Sequence, residues 1–239
     1  ERSTRALSLT EVGREFFERA VGILAAVDDA QRVVQNAQGE PRGTLHLSCG
    51  VEFGMIAVND WVARYLQRYP QVRVQADVTN RVVDIVHEGV DLAIRVGPLA
   101  DSNLAARRLG YLHYGLFAAP AYLARRTSPT SPAELAAHET VVFSVASGSA
   151  TWTLHSGTQQ QVVALEPRLR ANNVFAVRDG AVAALGVAQL PLVVAASALQ
   201  AGHLVRVLPD WAGAPVPVHA VFASARYLTP KVRAFIDLA

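Results

Sequence analysis

The residues suited to covalent or metal chemistry are few and widely spaced. Cys49 is the only cysteine in 239 residues, so neither an intramolecular disulfide nor a cysteine-based zinc cluster is available. It ends a short alternating run, ahead of a segment with helical spacing, where a thiolate could be stabilised. No second cysteine exists to resolve an oxidised sulfur, and a small buried thiol is the simpler reading. His46 lies three positions back and so points to the other face of a regular strand. The seven histidines (His46, His87, His113, His138, His155, His203 and His219) show no metal-ligand spacing. Ser144, Ser147 and Ser149 form no Gly-x-Ser-x-Gly elbow. Glycine-rich phosphate loops are absent. Catalysis, metals and cofactors are therefore not expected.

What remains is binding chemistry. Five loops fall at predicted strand ends: residues 48–54, 79–81, 95–98, 144–151 and 172–175. Three of them lead into predicted helices, whose free N–H groups suit a carboxylate or another anion. Each Ser, Thr or Asn there could equally cap its own helix. Glu52 would satisfy the first helix N-terminus and repel an anion. Val51, Phe53, Val174 and Phe175 supply apolar walls. The pattern points to a small, partly apolar ligand with one polar group.

Alternating strand and helix patterns position these loops. Strand periodicity covers 44–49, 72–78 and 92–96, with helices over 53–69 and 82–88 between them. Such a β-α-β-α-β order predicts a parallel sheet with right-handed crossovers. A second unit follows: strands at 114–118 and 141–143, a hairpin of 151–155 and 161–165 across Gly157, and, after Arg168–Arg170, a helix from about 174 to 185. Strands at 187–190, 204–208 and 218–223 and a helix over 230–238 complete the chain. The last strand and helix come after the second unit is finished and can return to the first. Two α/β units facing each other enclose a cleft beyond their strand ends.

Ahead of the body, residues 9–38 carry an a/d seam. Thr10 is a candidate N-cap. Phe16, Ala20, Ile23, Val27, Ala30 and Val34 recur at spacings of four and three. A helix of about 28 residues is roughly 42 Å long. The run stops at the Gly/Pro-rich residues 39–43. A second copy lying alongside would bury the stripe; the alternative is an ordinary surface helix on its own core.

Composition sets the frame. Hydrophobic residues make up 51% and charged residues 18%, which excludes a disordered chain. A net charge of +2 is no polycation, so composition alone does not announce nucleic-acid binding. No apolar run is long enough to span a bilayer and no signal peptide opens the chain, which favours a cytoplasmic setting.

In order along the chain, several blocks resemble the LysR-type transcriptional regulators. They are residues 2–13 (RSTRALSLTEVG) with the long helix after them, 43–48 (GTLHLS), 89–97 (GVDLAIRVG), 102–109 (SNLAARRL), 119–123 (APAYL), 132–138 (PAELAAH), Trp152, 186–191 (GVAQLP) and 202–209 (GHLVRVLP). The resemblance implies an α/β fold of two Rossmann-like subdomains of periplasmic-binding-protein type II, preceded by a long dimerisation helix. Residues 1–8 would be the remnant of a winged helix-turn-helix wing, 9–38 the linker helix and 43–239 the effector domain. Subdomain I would take 43–113 and 218–239, and subdomain II 114–217. The winged domain itself would precede Glu1, with Arg2 and Arg5 left as phosphate contacts.

Effector contacts are implied at Cys49, Gly50, Val51, Glu52 and Phe53, at Thr79 and Asn80, and at Asn172, Asn173, Val174 and Phe175. Arg95 and Ser144 are added from the strand-end loops. Partners would be DNA through the winged domain, an unidentified small effector, and further copies of the chain as a homodimer or homotetramer. A free-standing solute-binding protein of the same fold, or a small-molecule enzyme, are the rival readings.

Overall fold

The computed structural model describes residues 10–13, 15–17, 19–20, 39–144, 149–224 and 228–239. Its thirteen strands in the described residues form two five-stranded sheets and one of three strands.

The first lobe is built on β1 (Gly43–Cys49), β2 (Val72–Val78), β3 (Leu92–Val96), β4 (Ala105–Leu112) and β13 (Val216–Phe222), in the order β2-β1-β3-β13-β4. β1 pairs in parallel with β2 and β3, whereas β13 runs antiparallel to β3 and β4. The sheet is thus mixed, not wholly parallel as the β/α alternation predicts. The chain returns from the other lobe before laying down β13, so that strand enters from the opposite end. Leu45, Leu47, Leu92 and Ile94 bury their side chains on one face, under two helices. The first, α1, is α-helical over Val51–Phe53, π-helical over Gly54–Val58 and α-helical again over Asn59–Arg68. The second, α5 (Pro230–Leu238), starts with proline at its first turn, where the missing N–H costs nothing. Tyr65 of α1 stacks edge-on against Phe235 of α5, and its hydroxyl donates to the Lys231 carbonyl at 2.7 Å. Lys231 in turn donates to the Thr44 carbonyl and, at 2.7 Å, to Asp91, which also accepts the His46 N–H. One buried ion pair thereby ties α5 to the starts of β1 and β3.

The second lobe carries β5 (Tyr114–Ala118), β6 (Thr140–Phe143), β9 (Pro167–Ala171), β10 (Val187–Pro191) and β11 (Val205–Val207), ordered β11-β5-β10-β6-β9. The hairpin of β7 (Ala150–Ser156) and β8 (Gln159–Leu165), joined by the two-residue β12 (Ala212–Gly213), packs beside it. Gly157 sits in the hairpin turn at φ +55°, a conformation glycine adopts without steric cost. Three α-helices, α2 (Pro120–Leu123), α3 (Val174–Val182) and α4 (Leu192–Gln200), and a 3-10 helix over Pro132–Ala137 complete the described part of the lobe.

Three local expectations need correction. Residues 82–88 are not a helix: 82–84 are irregular and 85–88 form a turn. Val82, Val83, Ile85 and Val86 are β-branched, which weakens helix formation. Asp84 also diverts the Val86 and His87 N–H groups onto its own carboxylate, and Glu88 takes the Asp84 N–H. Side chains thus outcompete the helical ladder. β4 was not foreseen because Arg107 and Arg108 interrupt its alternation; it is an edge strand, where charges blunt further pairing. α4 was also missed, because a short continuous apolar run (LVVAASALQ) does not reveal its period.

Of the long amino-terminal helix, the described residues 11–13, 15–17 and 19–20 are helical. Thr10 caps it, accepting the Gly13 N–H at 3.1 Å. Val12 is 77% and Phe16 73% exposed, so this apolar stripe finds no cover on the described part of its own chain. Ala20 is half-buried. Ile23, Val27, Ala30 and Val34, like Arg2 and Arg5, lie outside the described residues.

Candidate functional site

The chain crosses between the lobes twice, at His113 between β4 and β5 and at Ala214–Pro215 between β12 and β13. A cavity of about 640 Å³ opens there, lined by residues beside both crossovers and by strand ends of both lobes. Ala214 belongs to the second crossover, and Leu112, Tyr114, Gly213 and Val216 flank the two. Phe53, Ile56, Val142, Phe143, Trp152 and Val174 give it apolar walls. Ile56 packs against the cores of both lobes. The π-helical turn that carries it begins at Gly54, a position where a Cβ would press on Cys49 Sγ and Val78 Cγ1, both at 3.2 Å. Small size at Gly54 therefore lets α1 lie close over β1 and β2. Such π turns favour functional sites.

The two helix N-termini at the cleft are both occupied by the protein's own groups. Asn80 accepts the Val51 N–H of α1 at 3.1 Å. Asn173 caps α3, accepting the Phe175 and Ala176 N–H groups at 3.0 and 3.1 Å. The remaining first-turn donor, the Val174 N–H, is bound by the Glu52 carboxylate reaching over from the first lobe. Glu52 thus does not serve its own helix, as its position beside α1 predicts; it satisfies the other lobe's helix and joins the two across the cleft. The partial positive charge of a helix N-terminus favours this placement. Tyr114 stands near enough for Glu52 to add to burial in pushing its phenol above the usual range.

Two arginines line the cavity. Arg81 is committed to a bidentate pair with Glu88, at 2.6 and 2.7 Å. Arg95, half-buried, donates among the described residues to the Ser48 hydroxyl at 3.2 Å and the Ile94 carbonyl at 3.3 Å. Desolvation lowers its pKa from the ordinary arginine value, while Asp77 and Cys49 act against that.

Of the residues singled out from sequence, Gly50, Glu52, Phe53, Thr79, Asn80, Arg95 and Val174 line the cavity. Cys49 does not: it is 1% exposed in the first core, and burial raises its thiol pKa. Val51 offers only its capped N–H, and Asn173 is spent as a cap. Asn172 is exposed, Phe175 half-buried against the second core, and Ser144 half-buried beyond β6; none of the three is part of the lining. Two rather than three loops lead into helices, since residues 82–88 are not one. Sequence reading missed Tyr114, Trp152, Thr153, Gln189 and Gly213, which also line the cavity. Gln189 carried a signal, a polar residue in the otherwise apolar strand VAQLP. A Cβ at Gly213 would collide with its amide.

Residues 38–239 match the family described as the LysR substrate binding domain. The chain belongs to the LysR family of transcriptional regulators. Among its relatives, an HTH-type transcriptional regulator of Xanthomonas campestris pv. campestris is 33% identical over 240 residues, covering 99% of this chain and 70% of the relative. The HTH-type transcriptional regulator PtxR of Pseudomonas aeruginosa is 33% identical over 236 residues, covering 99% and 76%. Full-length AphB, the Vibrio cholerae virulence activator, superposes with a TM-score of 0.71 at 26% identity, covering 100% of this chain and 81% of that one. CrgA of Neisseria meningitidis, a LysR-type regulator, gives 0.71 at 27% identity, covering 99% and 81%. The two-lobed architecture is the periplasmic-binding-protein type II fold of these regulatory domains. This chain is the effector-binding and oligomerisation region of a LysR-type regulator. Among the described residues no helix is long and apolar enough to cross a membrane.

Proposed function

We propose that the cavity between the lobes is the effector seat and that occupancy changes their closure. The observation that carries this reading is that one cavity is walled by both lobes and by residues beside both crossovers. A ligand there touches the two bodies whose relative angle the crossovers set. Ligand binding need only favour one closure angle to shift the population. Paired linker helices, with Phe16, Ala20, Ile23, Val27, Ala30 and Val34 at their seam, would pass the change to winged domains on DNA, with Arg2 and Arg5 near phosphate. The division at residues 8, 38, 113 and 217 belongs to this reading, as do a homodimer or homotetramer and action in the cytoplasm. The chain acts by binding, not by turnover.

The test is a thermal-shift screen of small organic molecules, with binders titrated by calorimetry. Thr153→Trp, which fills the cavity from β7, should weaken any such binder at least tenfold and leave the ligand-free Tm within about 2 °C. Unchanged affinity in that variant would reject the site.

A further inference from the structure

The start of α1 reaches the second lobe twice. Glu52 carries its carboxylate across the cleft to the Val174 N–H. Ile56, about one turn later, packs against the cores of both lobes. Glu52 is not needed by its own helix: Asn80 accepts the Val51 N–H, and the Gly54 N–H closes on the Gly50 carbonyl at 2.8 Å. The Val174 donor is not served by its own lobe either. Asn173 accepts from Phe175 and Ala176, which leaves the N–H of buried Val174 to the Glu52 carboxylate among the described residues. Each half of this bond therefore finds its partner on the opposite lobe.

The two bridges respond differently to motion. An apolar contact such as that of Ile56 is non-directional and tolerates sliding. A hydrogen bond is lost once donor and acceptor part by an ångström or so or turn out of line. The Glu52 bond is also the stronger of its kind, because the acceptor is charged and stands at the positive end of α3. Any swing of the lobes about His113 and Ala214–Pro215 that separates α1 from α3 must break it. We infer that Glu52 is a latch: its bond to Val174 holds the lobes at their present angle and sets the resting balance between this form and a more open one. The inference rests on the lobes being free to change their angle, as proposed above, and not on what fills the cavity. Glu52 is on this account a positioning residue, acting through α3.

The distance between the lobes tests it. Ser102→Cys and Thr158→Cys place one exposed thiol on each lobe, and buried Cys49 takes no label. Spin labels at the two sites report the spacing by double electron–electron resonance, with labelled chain diluted into unlabelled chain so that only distances within one chain are read. The doubly labelled parent should show one dominant distance. Glu52→Ala deletes the carboxylate, and Glu52→Asp keeps the charge but shortens its reach by one methylene. Each should move at least half of the population by about 3 Å or more, the scale of a hinge motion. Glu52→Gln keeps an acceptor oxygen at full reach and should fall between the parent and Glu52→Ala. Circular dichroism should be the same for all four. Glu52→Ala matching the parent would overturn the latch, as would a parent already spread over both distances. Glu52→Asp matching the parent would overturn it too, by showing that charge in the cleft and not the bond holds the angle. Adding Ile56→Ala to Glu52→Ala removes both bridges and separates the two claims: a shift there, with none in Glu52→Ala, sinks the latch but leaves mobile lobes standing, and no shift in either sinks both.

Discussion

Replacing Lys231 by methionine tests how the first lobe holds the strands that carry the cleft loops. The ammonium bonds the Thr44 carbonyl and Asp91, and the two side chains of the pair are 14% and 8% exposed. Methionine keeps most of the stem's packing but deletes two charge-assisted hydrogen bonds. Asp91 is left buried with the His46 N–H as its remaining donor. Breaking a buried pair from one side costs about 3–5 kcal/mol; the surviving N–H places this case near the lower end, at about 3 kcal/mol. For a protein of this size each kcal/mol moves Tm by about 2–4 °C, so thermal unfolding followed by circular dichroism should fall by roughly 6–12 °C. The double variant Lys231→Met with Asp91→Asn removes the stranded charge and should recover more than half of that loss, a non-additivity expected of direct partners. A fall below about 2 °C in the single variant, or no recovery in the double, would refute the claim that this pair clamps α5 to β1 and β3.

Two further outcomes follow from the side-chain environments. Cys49, buried and with its thiol pKa raised, should leave Ellman's reagent unreacted in the native chain at pH 8 and react fully in urea; rapid native labelling would contradict its placement. Glu139 is held down to a pKa of about 2, chiefly by the Tyr122 hydroxyl and then by its backbone and Arg126. A carboxylate depressed in the folded state contributes stability above its unfolded pKa and loses it as pH falls through the folded value. The Tm advantage of wild type over Glu139→Gln should therefore be full at pH 6 and vanish between about pH 4.5 and pH 2; an advantage that grows with acid would be wrong in sign.

Much of the architecture was legible because burial imposes a period. Leu45, Leu47 and Cys49 alternate in sequence and all three lie in the first core. Gly157 marked the hairpin, and Thr10 the helix cap. What stayed hidden depends on contacts between distant segments. β4 is recognisable only once β13 returns beside it, and residues 82–88 fail as a helix because Asp84 and Glu88 offer their backbone better acceptors. The site divides the same way. Thr79, Asn80 and Arg95 stand at strand ends, which any α/β pattern brings to a crevice. Gln189 and Thr153 join them through the packing of the hairpin and β12 against the second sheet. The reach of Glu52 to Val174, 122 positions away, leaves no local signal at all.

The central claim is that the space between the lobes is where the signal enters. Its most direct test is a promoter-reporter assay on a full-length regulator carrying this chain with Thr153→Trp, under conditions that switch the wild-type protein. The account predicts normal protein levels and DNA occupancy with a promoter output that no longer responds. A full response from the filled cavity would contradict it.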